Sequence, residues 1–351
     1  MKSRICRHVR KLNAYVPGEQ MAGRGVIKLN TNETPYPPSP RVAAAIRRFR
    51  AADLRLYPDP AWRALRAALA DRHAVSPEQV FVGNGSDEIL RLITLAFVED
   101  TGSLAMFTPS YSLYDTLAAA RNVPMRKTPL APDFGWQLPP RTFQASVFFL
   151  ACPNNPTGVA YPAVAVRRLA ERFRGILVID EAYADFAEAD HLELARTRPN
   201  VLVLRTLSKS YALAGARLGY AIGPVPLIAA LMTLKDSYNV NRLTQAAALA
   251  AVTDRAYQQK LVARIRETRR MLADALADLA FEVTPSDANF LWVRPTRIGA
   301  RTLFDALRER RILVRYNPAD WHPDYLRITV GTGREVAALL KAIRAIQGGA
   351  R

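Results

Sequence analysis

A single lysine, Lys209, lies between hydroxyl side chains in the segment TLSKSYALAGARLG. Thr206, Ser208 and Ser210 can donate hydrogen bonds to a phosphate group. Arg217, eight positions after the lysine, can add a fork of charged donors. A lysine amine can also form a Schiff base with a carbonyl compound. The segment therefore predicts a phosphate site beside a reactive amine, and a surface lysine in a loop is the alternative.

An acidic pair ends an apolar run in the segment ILVIDEAYADF. Asp180 and Glu181 close the run, and Tyr183 follows two residues later. A carboxylate at the end of a buried strand is costly unless a cation or several donors meet it. The pair therefore predicts a cation or several hydrogen-bond donors beside these carboxylates. A role as a helix cap is an alternative of equal weight.

Two further apolar runs end in residues that can bind a ligand. The segment VFVGNGSDEIL places Gly83, Gly85 and Ser86 between a strand and a helix, where free backbone N–H groups can hold an anion. The segment LACPNNPTG offers the side-chain amides of Asn154 and Asn155 in a turn stiffened by prolines. An ordinary tight turn is the alternative in both places.

An arginine, Arg327, lies inside the apolar strand YLRITVGT, where a bidentate carboxylate partner would justify it. An exposed position on an edge strand is the alternative. Together, the buried aspartate, the phosphate donors, an asparagine, a tyrosine and the lysine match the needs of pyridoxal phosphate. Asp180 would keep the ring nitrogen protonated, and Lys209 would hold the aldehyde as an imine.

The elements that must position these residues are short apolar strands that alternate with amphipathic helices. Strands that are apolar throughout are typical of a mostly parallel sheet covered on both faces. The pattern predicts an N-terminal arm over residues 1–40, a large α/β domain over residues 41–235 and a small α+β domain over residues 236–351. Active sites of open α/β sheets lie beyond the carboxyl ends of the strands.

Two helix starts can be read from capping residues. Ser39 is placed as an N-cap with Pro40 as the first helical residue, and Asp59 and Pro60 repeat this pattern. We therefore expect one helix to begin at each pair.

The composition limits the classes of function. The chain has 351 residues and a formal net charge of +18, but its arginines are spread among alanines at helical spacing, which indicates solvated helix faces. We expect no nucleic-acid partner. No run of 18 apolar residues and no signal peptide is present, so we expect a cytoplasmic protein without a membrane segment. Cys6 and Cys152 show no metal-ligand spacing, and we expect no bound metal.

Ordered motifs along nearly the whole chain resemble the fold-type I, class II pyridoxal-phosphate aminotransferases, and most closely the histidinol-phosphate aminotransferase family. These motifs are KLNAYVPGE, IKLNTNETPYPPSP, LYPDP, VGNGSDEIL, PSYSLY, PNNPTG, IDEAY, TLSKSYALAGARLGY, YNVN and YLRITVGT. The resemblance implies the fold of that family, pyridoxal 5'-phosphate as cofactor and amino transfer as the activity.

The resemblance assigns roles around the cofactor ring. Lys209 would be the Schiff-base lysine and Asp180 the partner of the pyridine nitrogen. Asn155 and Tyr183 would bind the ring hydroxyl, and Tyr111 would stack on the ring face.

It also assigns an anchor for the cofactor phosphate and a quaternary structure. The phosphate would be held by Ser86, Asp87, Thr206, Ser208 and Arg217. Tyr57 in LYPDP would reach the phosphate of the neighbouring subunit, which implies a homodimer.

The substrate residues implied by the resemblance are arginines and a tyrosine. Arg327 would bind the carboxylate of amino acid substrates or the phosphate of L-histidinol phosphate, and Arg315 in ILVRY would assist with that phosphate. Tyr15 would cover the substrate, and Asn155 would also face it. The implied reaction converts L-histidinol phosphate and 2-oxoglutarate to imidazole-acetol phosphate and L-glutamate.

Three other functions remain as alternatives. An aromatic or broad-specificity aminotransferase would keep the fold and the cofactor. A threonine-phosphate decarboxylase would usually begin with an HGGN-like segment, whereas this chain has LNTNETPY. A basic regulatory protein that binds the cofactor without turnover is the third. The chain also departs from its relatives at Asp236 and Ser237, where prolines are usual before YNVN, and this departure predicts an altered pocket wall.

Overall fold

The protein is described by a computed structural model that covers residues 4–12 and 17–349. The first half of the chain contains β1 (Ile27–Lys28), α1 (Pro40–Arg48), α2 (Arg63–His73), β2 (Val80–Gly83), α3 (Ser86–Phe97), β3 (Leu104–Thr108), α4 (Leu113–Arg121), β4 (Met125–Pro129), β5 (Val147–Ala151), α5 (Ala163–Arg172) and β6 (Ile176–Asp180).

The second half begins with α6 (Leu192–Thr197), β7 (Val201–Thr206), β8 (Gly219–Ile222), α7 (Val225–Leu234), α8 (Arg242–Val252) and α9 (Arg255–Asp278). It continues with β9 (Phe281–Val283), β10 (Phe290–Pro295), α10 (Ala300–Glu309), β11 (Ile312–Leu313), β12 (Leu326–Thr329) and α11 (Gly333–Gly349). Short 3₁₀ helices join several of these elements.

Seven strands form the main sheet, in the order β2-β8-β7-β6-β5-β3-β4. Strand β8 runs antiparallel to its neighbours β2 and β7, and the other pairs are parallel. Strands β5 and β7 are buried at every position, as expected for strands with both faces covered. The predicted α/β class with a mostly parallel central sheet is confirmed.

A smaller antiparallel sheet, in the order β12-β10-β9, lies in the C-terminal part of the chain. Its apolar core includes residues of α9, α10 and α11, while a separate core surrounds the main sheet. A third cluster contains Tyr183 and Phe186, which follow β6, together with Phe290 and Val330 from the smaller sheet region. This cluster packs the segment after β6 against α9 and the smaller sheet. The domain boundaries near residues 40 and 235 stay predictions.

The two predicted helix starts had different outcomes. Ser39 caps α1 by accepting a hydrogen bond from the backbone N–H of Arg41, and Pro40 is the first helical residue. The second prediction was wrong, because α2 begins at Arg63. Trp62 adopts a left-handed backbone conformation with φ 49°, which interrupts the helix, and its side chain is buried. Within the described ranges, no helix combines the length and apolar character needed to span a bilayer.

Candidate active site

A cavity of about 370 Å³ opens at the carboxyl ends of the parallel strands. Twelve of the predicted site residues line it: Ser86, Asp87, Tyr111, Asn155, Asp180, Tyr183, Thr206, Ser208, Lys209, Arg217, Arg315 and Arg327. The cavity collects side chains from both sheets, since Arg327 belongs to β12 and Asp180 to β6. Residues far apart in the sequence therefore share one site.

The strand ends explain this convergence. Asp180 is the last residue of β6, and Thr206 is the last residue of the neighbouring β7. Lys209 follows three residues after β7, and Asn155 follows four residues after β5. Because β5, β6 and β7 are parallel, their carboxyl ends meet at one edge of the sheet.

The Lys209 amine is partly buried in the cavity wall. Its Nζ donates a hydrogen bond to the carbonyl oxygen of Thr31 at 3.3 Å and lies 5.7 Å from the ring centre of Tyr183. Burial lowers the pKa of this amine to about 8, and the positive charge of Arg327 contributes to the lowering. The amine is therefore close to neutrality near physiological pH, as a nucleophile or a general base requires.

The Asp180 carboxylate is buried, and each of its oxygens accepts one hydrogen bond. Oδ2 accepts from the hydroxyl of Tyr114 at 2.7 Å, and Oδ1 accepts from the backbone N–H of Ala182 at 3.2 Å. Burial raises the pKa of this carboxyl to about 6, and both hydrogen bonds oppose that rise. Asp180 also lines the cavity, so a donor bound there can reach it.

The N-terminus of α3, the 12-residue helix that begins at Ser86, lies at the cavity wall. Gly85 precedes it with φ +80°, and a Cβ at this position would lie 2.5 Å from Nη2 of Arg217. The positive φ favours glycine at this position. Arg217 Nη2 also donates to Oδ2 of Asp87 at 3.1 Å. The helix N-terminus and the guanidinium together suit a phosphate group.

Hydroxyl groups from the last residue of β7 and from the loop that follows it lie in the same wall. The Thr206 hydroxyl donates to the carbonyl oxygen of Leu218 at 3.1 Å and lies 2.9 Å from the Ser208 hydroxyl. The backbone N–H of Ser208 donates to the Thr206 hydroxyl at 3.1 Å. These contacts fix the loop that carries Lys209.

Arg327 is buried and binds neutral oxygens. Its Nη1 donates to Oδ1 of Asn155 at 2.6 Å, and its Nη2 donates to the carbonyl oxygen of Asn30 at 2.9 Å. The guanidinium also lies against the rings of Phe290 and Trp321, at 5.3 and 5.1 Å from their centres. A buried guanidinium that lines a cavity is suited to receive an anionic ligand.

Arg315 stands beside Arg327 in the cavity lining. The two residues form an isolated antiparallel bridge, and Arg315 Nη1 donates to the carbonyl oxygen of Pro17 at 3.1 Å. Both guanidinium groups line the cavity, together with Lys209 and Arg217. This arrangement attracts ligands that carry two negative groups.

Among the predicted residues that the structure describes, Tyr57 does not line this cavity. Tyr57 is 75% exposed, and its ring stacks on Tyr238 at 4.3 Å between ring centres. Tyr15 lies outside the described residues. Asp236 and Ser237, which were expected to alter the pocket wall, are exposed and do not line the cavity described here.

Sequence reasoning missed several residues of the site. Asn32 donates to the hydroxyl of Tyr183 at 3.0 Å, and the polar run LNTNET after β1 could have indicated it. Trp321 lines the cavity, and its indole N–H donates to the carbonyl oxygen of Ser110 at 3.3 Å. No periodic pattern points to Trp321, because it lies in an irregular loop.

A buried ionic network behind the site was also missed. Arg205 Nε donates to Oε2 of Glu181 at 2.7 Å, and Arg205 Nη1 donates to Oδ1 of Asp185 at 3.0 Å. The hydroxyl of Ser210 donates to Asp185 as well. The network therefore connects Glu181, the residue after Asp180, with Ser210, the residue after Lys209, and holds the two strand ends in register.

Comparisons with known proteins agree with this geometry. The sequence model of the family "Aminotransferase class I and II" matches residues 24–343. A histidinol-phosphate aminotransferase from Synechocystis sp. is 43% identical over 343 residues, which are 97% of each chain. A second one, from Thiobacillus denitrificans, is 45% identical over 341 residues and 95% of each chain.

Solved structures show the same architecture. The crystal structure of histidinol-phosphate aminotransferase from Sinorhizobium meliloti in complex with pyridoxal-5'-phosphate has a TM-score of 0.87 and 28% identity, and the match covers 99% of each chain. A Thermus thermophilus aspartate aminotransferase variant, with a TM-score of 0.82 and 22% identity, shares the fold. The chain therefore belongs to the class I and II aminotransferases, enzymes that use pyridoxal phosphate, and within them to the family of histidinol-phosphate aminotransferases.

Proposed function

We propose that this protein transfers the amino group of L-histidinol phosphate to 2-oxoglutarate and forms imidazole-acetol phosphate and L-glutamate. The observation that carries the proposal is the identity of 43% along 97% of the chain to a curated histidinol-phosphate aminotransferase. The cavity supports it, because Arg315 and Arg327 stand side by side where a second anionic group of the substrate can bind. A phosphate on the substrate and a distal carboxylate are both anions that an arginine pair can accept.

The residues of the cavity fit pyridoxal phosphate by the chemistry of their donors. The Asp180 carboxylate accepts hydrogen bonds from two neutral donors and still has a free lone pair on each oxygen. A protonated pyridine nitrogen would offset the cost of burying this charge. Arg217 and the α3 N-terminus would hold the phosphate, and Asn155 and Tyr183 would bind the ring hydroxyl. When bound, the cofactor supplies an aldehyde that accepts the substrate amine and a ring that withdraws electrons from the substrate α-carbon.

The proposed role of Lys209 is proton transfer. With the substrate amine bound in its place, the Lys209 Nζ would be a free amine inside the cavity. It takes the proton from the substrate α-carbon as a general base and returns a proton as a general acid later in the half-reaction. The second half-reaction runs the same transfer in reverse with 2-oxoglutarate. Tyr111 and Trp321, which also line the cavity, would exclude water from the site.

A substrate comparison tests this proposal. Purified protein is supplied with 2-oxoglutarate and either L-histidinol phosphate, L-histidinol, phenylalanine or tyrosine, and glutamate formation is measured. We expect kcat/KM for L-histidinol phosphate to exceed that for L-histidinol by about a hundredfold, since charge-assisted hydrogen bonds to the phosphate stabilise the complex by about 3 kcal/mol.

The Arg315→Gln variant provides the matched control for phosphate recognition. It should lower kcat/KM for L-histidinol phosphate and leave the value for L-histidinol within about twofold, because L-histidinol lacks the phosphate that this charge would bind. A wild-type protein that used phenylalanine and ignored L-histidinol phosphate would refute the substrate assignment and leave the aminotransferase family intact.

We also propose that the active unit is a homodimer in which Tyr57 completes the partner's phosphate site. Tyr57 does not line the cavity of its own chain, and it lies on an exposed apolar surface with Leu54 and Leu56. The Tyr57–Tyr238 stack holds the ring in a defined orientation on that surface. An aromatic pair flanked by exposed leucines is typical of a protein interface.

Complementation between two damaged chains tests the shared site. Tyr57→Ala and Lys209→Ala are each purified, mixed at equal amounts and exchanged under mild denaturant. If Tyr57 serves the partner, each mixed dimer contains one intact site, and random assortment restores about one quarter of all sites. A Tyr57→Ala variant mixed with wild type supplies the baseline. Activity that merely averages the two separate variants would show that Tyr57 acts within its own chain.

The proposed location is the cytoplasm. Both cysteines are free, Cys6 at the surface and Cys152 in the core. Unpaired cysteines are the normal state in a reducing compartment.

A further inference from the structure

A second tyrosine near the site, Tyr114, is fixed in the core between α4 and the main sheet. It is fully buried, and its ring stacks on Phe149 with 4.7 Å between ring centres and an interplanar angle of 18°. The edge of Tyr111 contacts it from another side, at 5.5 Å and 81°. These ring contacts leave the hydroxyl of Tyr114 in one position.

That position is at the carboxylate of Asp180. The Tyr114 hydroxyl donates to Oδ2 at 2.7 Å, while the second oxygen is held by the backbone N–H of Ala182. One donor on each oxygen fixes the plane of the carboxylate and leaves a lone pair on each oxygen for a further donor. Because Asp180 lines the cavity, that further donor can come from a bound ligand.

The charge of Asp180 depends on this hydrogen bond. Burial and the negative groups of Asp87 and Glu181 favour the protonated carboxyl, whereas Tyr114 and Ala182 favour the carboxylate. Tyr114 is the only side chain among these stabilising groups. Its own pKa is raised well above the ordinary value by burial and by Asp180, so the hydroxyl stays protonated and remains a donor.

We propose that Tyr114 is a positioning residue for the reaction, one that aims the Asp180 carboxylate at the ring nitrogen of pyridoxal phosphate and keeps it charged. Tyr114 touches neither substrate nor cofactor, since it does not line the cavity. The proton shared between the carboxylate and the ring nitrogen stays on nitrogen only while the carboxylate is the weaker base. A hydrogen bond to the carboxylate lowers its basicity and therefore keeps the ring protonated. The inference concerns the cofactor, so it holds for any amino donor.

The test removes only the hydroxyl. Holoenzyme of wild type and of Tyr114→Phe is prepared with pyridoxal phosphate labelled with ¹⁵N in the ring, and the ¹⁵N chemical shift reports ring protonation. We expect the shift of the variant to move toward that of a neutral pyridine, and kcat to fall roughly 10- to 100-fold, the range for a lost charge-assisted hydrogen bond. The dissociation constant for the cofactor should rise several-fold.

Tyr161→Phe is the matched control. Tyr161 is also buried, and the described residues provide no hydrogen-bond partner for its hydroxyl. Its loss should leave the ¹⁵N shift unchanged and kcat within about twofold, because no charged group loses a donor. Thermal melts of both variants verify that they are folded.

A double-mutant cycle separates positioning from packing. In the Asp180→Asn background, Tyr114→Phe should change kcat by less than about twofold, since the charge on which it acts is already gone. An equally large effect in that background would assign Tyr114 to packing alone. An unchanged ¹⁵N shift in the single variant Tyr114→Phe would overturn the inference directly.

Discussion

Replacing Lys209 with alanine should lower turnover by at least about 10⁴-fold, since it removes both the amine that binds the aldehyde and the general base. The amine is suited to both tasks because burial and Arg327 lower its pKa to about 8. At neutral pH roughly a tenth of it is unprotonated, far more than for a lysine with an ordinary pKa. The expected loss of turnover therefore reflects the lowered pKa of the Lys209 amine in its buried position.

Borohydride reduction checks this prediction at the level of a single residue. The reduced holoenzyme is digested, and peptide mapping should find the cofactor on Lys209 in wild type and on no peptide of Lys209→Ala. Lys127→Ala is the control, because Lys127 forms an exposed ion pair with Asp115 on the far edge strand β4. Such surface ion pairs contribute only about 0–1 kcal/mol to the free energy of unfolding, so the control variant should stay folded. A tag on any other lysine would refute the role given to Lys209.

The pH dependence of cofactor binding follows from the same pKa. Attack on the aldehyde requires the neutral amine, so the rate at which apoprotein combines with pyridoxal phosphate should rise about tenfold per pH unit below pH 8 and level off above it. Stopped-flow absorbance measures this rate. A profile that kept rising to pH values above about 10 would indicate an unperturbed lysine.

The main sheet was predictable because its strands have a strong local signal. Three of its strands are apolar at nearly every position: VFFLA, ILVID and VLVLRT. This pattern is typical of a sheet that is covered on both faces. The start of α2 was less predictable, since Asp59 and Pro60 form an ordinary capping pattern. Asp59 does accept hydrogen bonds from the backbone N–H groups of Ala61 and Arg63, but the buried Trp62 takes a left-handed conformation that postpones the helix. Tertiary packing thus decided a boundary that local propensity could not.

The site was predictable where a functional group follows directly from a strand. Asp180 and Lys209 are polar residues at the ends of apolar runs, and the structure places both in one cavity. The partner of Arg327 was not predictable in the same way. The carboxylate of a bound substrate stays a prediction for this arginine, and within the chain its guanidinium contacts Asn155 and the carbonyl oxygen of Asn30. These partners come from distant parts of the chain, and no spacing within the sequence encodes that contact.

Tyr114 shows why a residue that acts through another residue is difficult to predict from the sequence. Its neighbour Tyr111 lies in the same segment, PSYSLY, and both are tyrosines on a short turn and helix. The two tyrosines differ in the direction of their side chains. Tyr111 lines the cavity, and Tyr114 points into the core toward Asp180. Residue type and spacing alone do not give that direction.

Replacing Asp180 with asparagine should separate activity from stability. We expect kcat to fall by about a thousandfold, because the variant cannot provide the buried negative charge that pairs with the protonated ring nitrogen, and breaking a buried ion pair costs about 4 kcal/mol. The shape of the site should persist, since asparagine has nearly the same volume and can still accept from Ala182. Asp115→Asn, the same chemical change at the exposed partner of Lys127, is the control and should retain full activity.

The same substitution of Asp180 should raise the stability of the apoprotein. Burial raises the pKa of Asp180 to about 6 from an ordinary value of 3.8, so between these values the native state binds more protons than the unfolded state. The free energy of unfolding of wild type therefore falls as the pH rises through this window, by up to about 3 kcal/mol. Asparagine does not titrate, so the variant should match wild type below about pH 4 and exceed it by up to about 3 kcal/mol above about pH 6.

Urea unfolding of both apoproteins at pH values on either side of the window measures this difference, and the holoenzymes provide the decisive comparison. Bound cofactor should reverse the order, because its protonated ring offsets the buried charge in wild type and finds no charge in the variant. A variant less stable than wild type in the apo form at pH 8 would show that Asp180 is not held as a destabilising charge. Asp180 would then stabilise the folded apoprotein as well as support the reaction. That result would contradict the inference, drawn from its burial, that its charge lowers stability and is kept for activity.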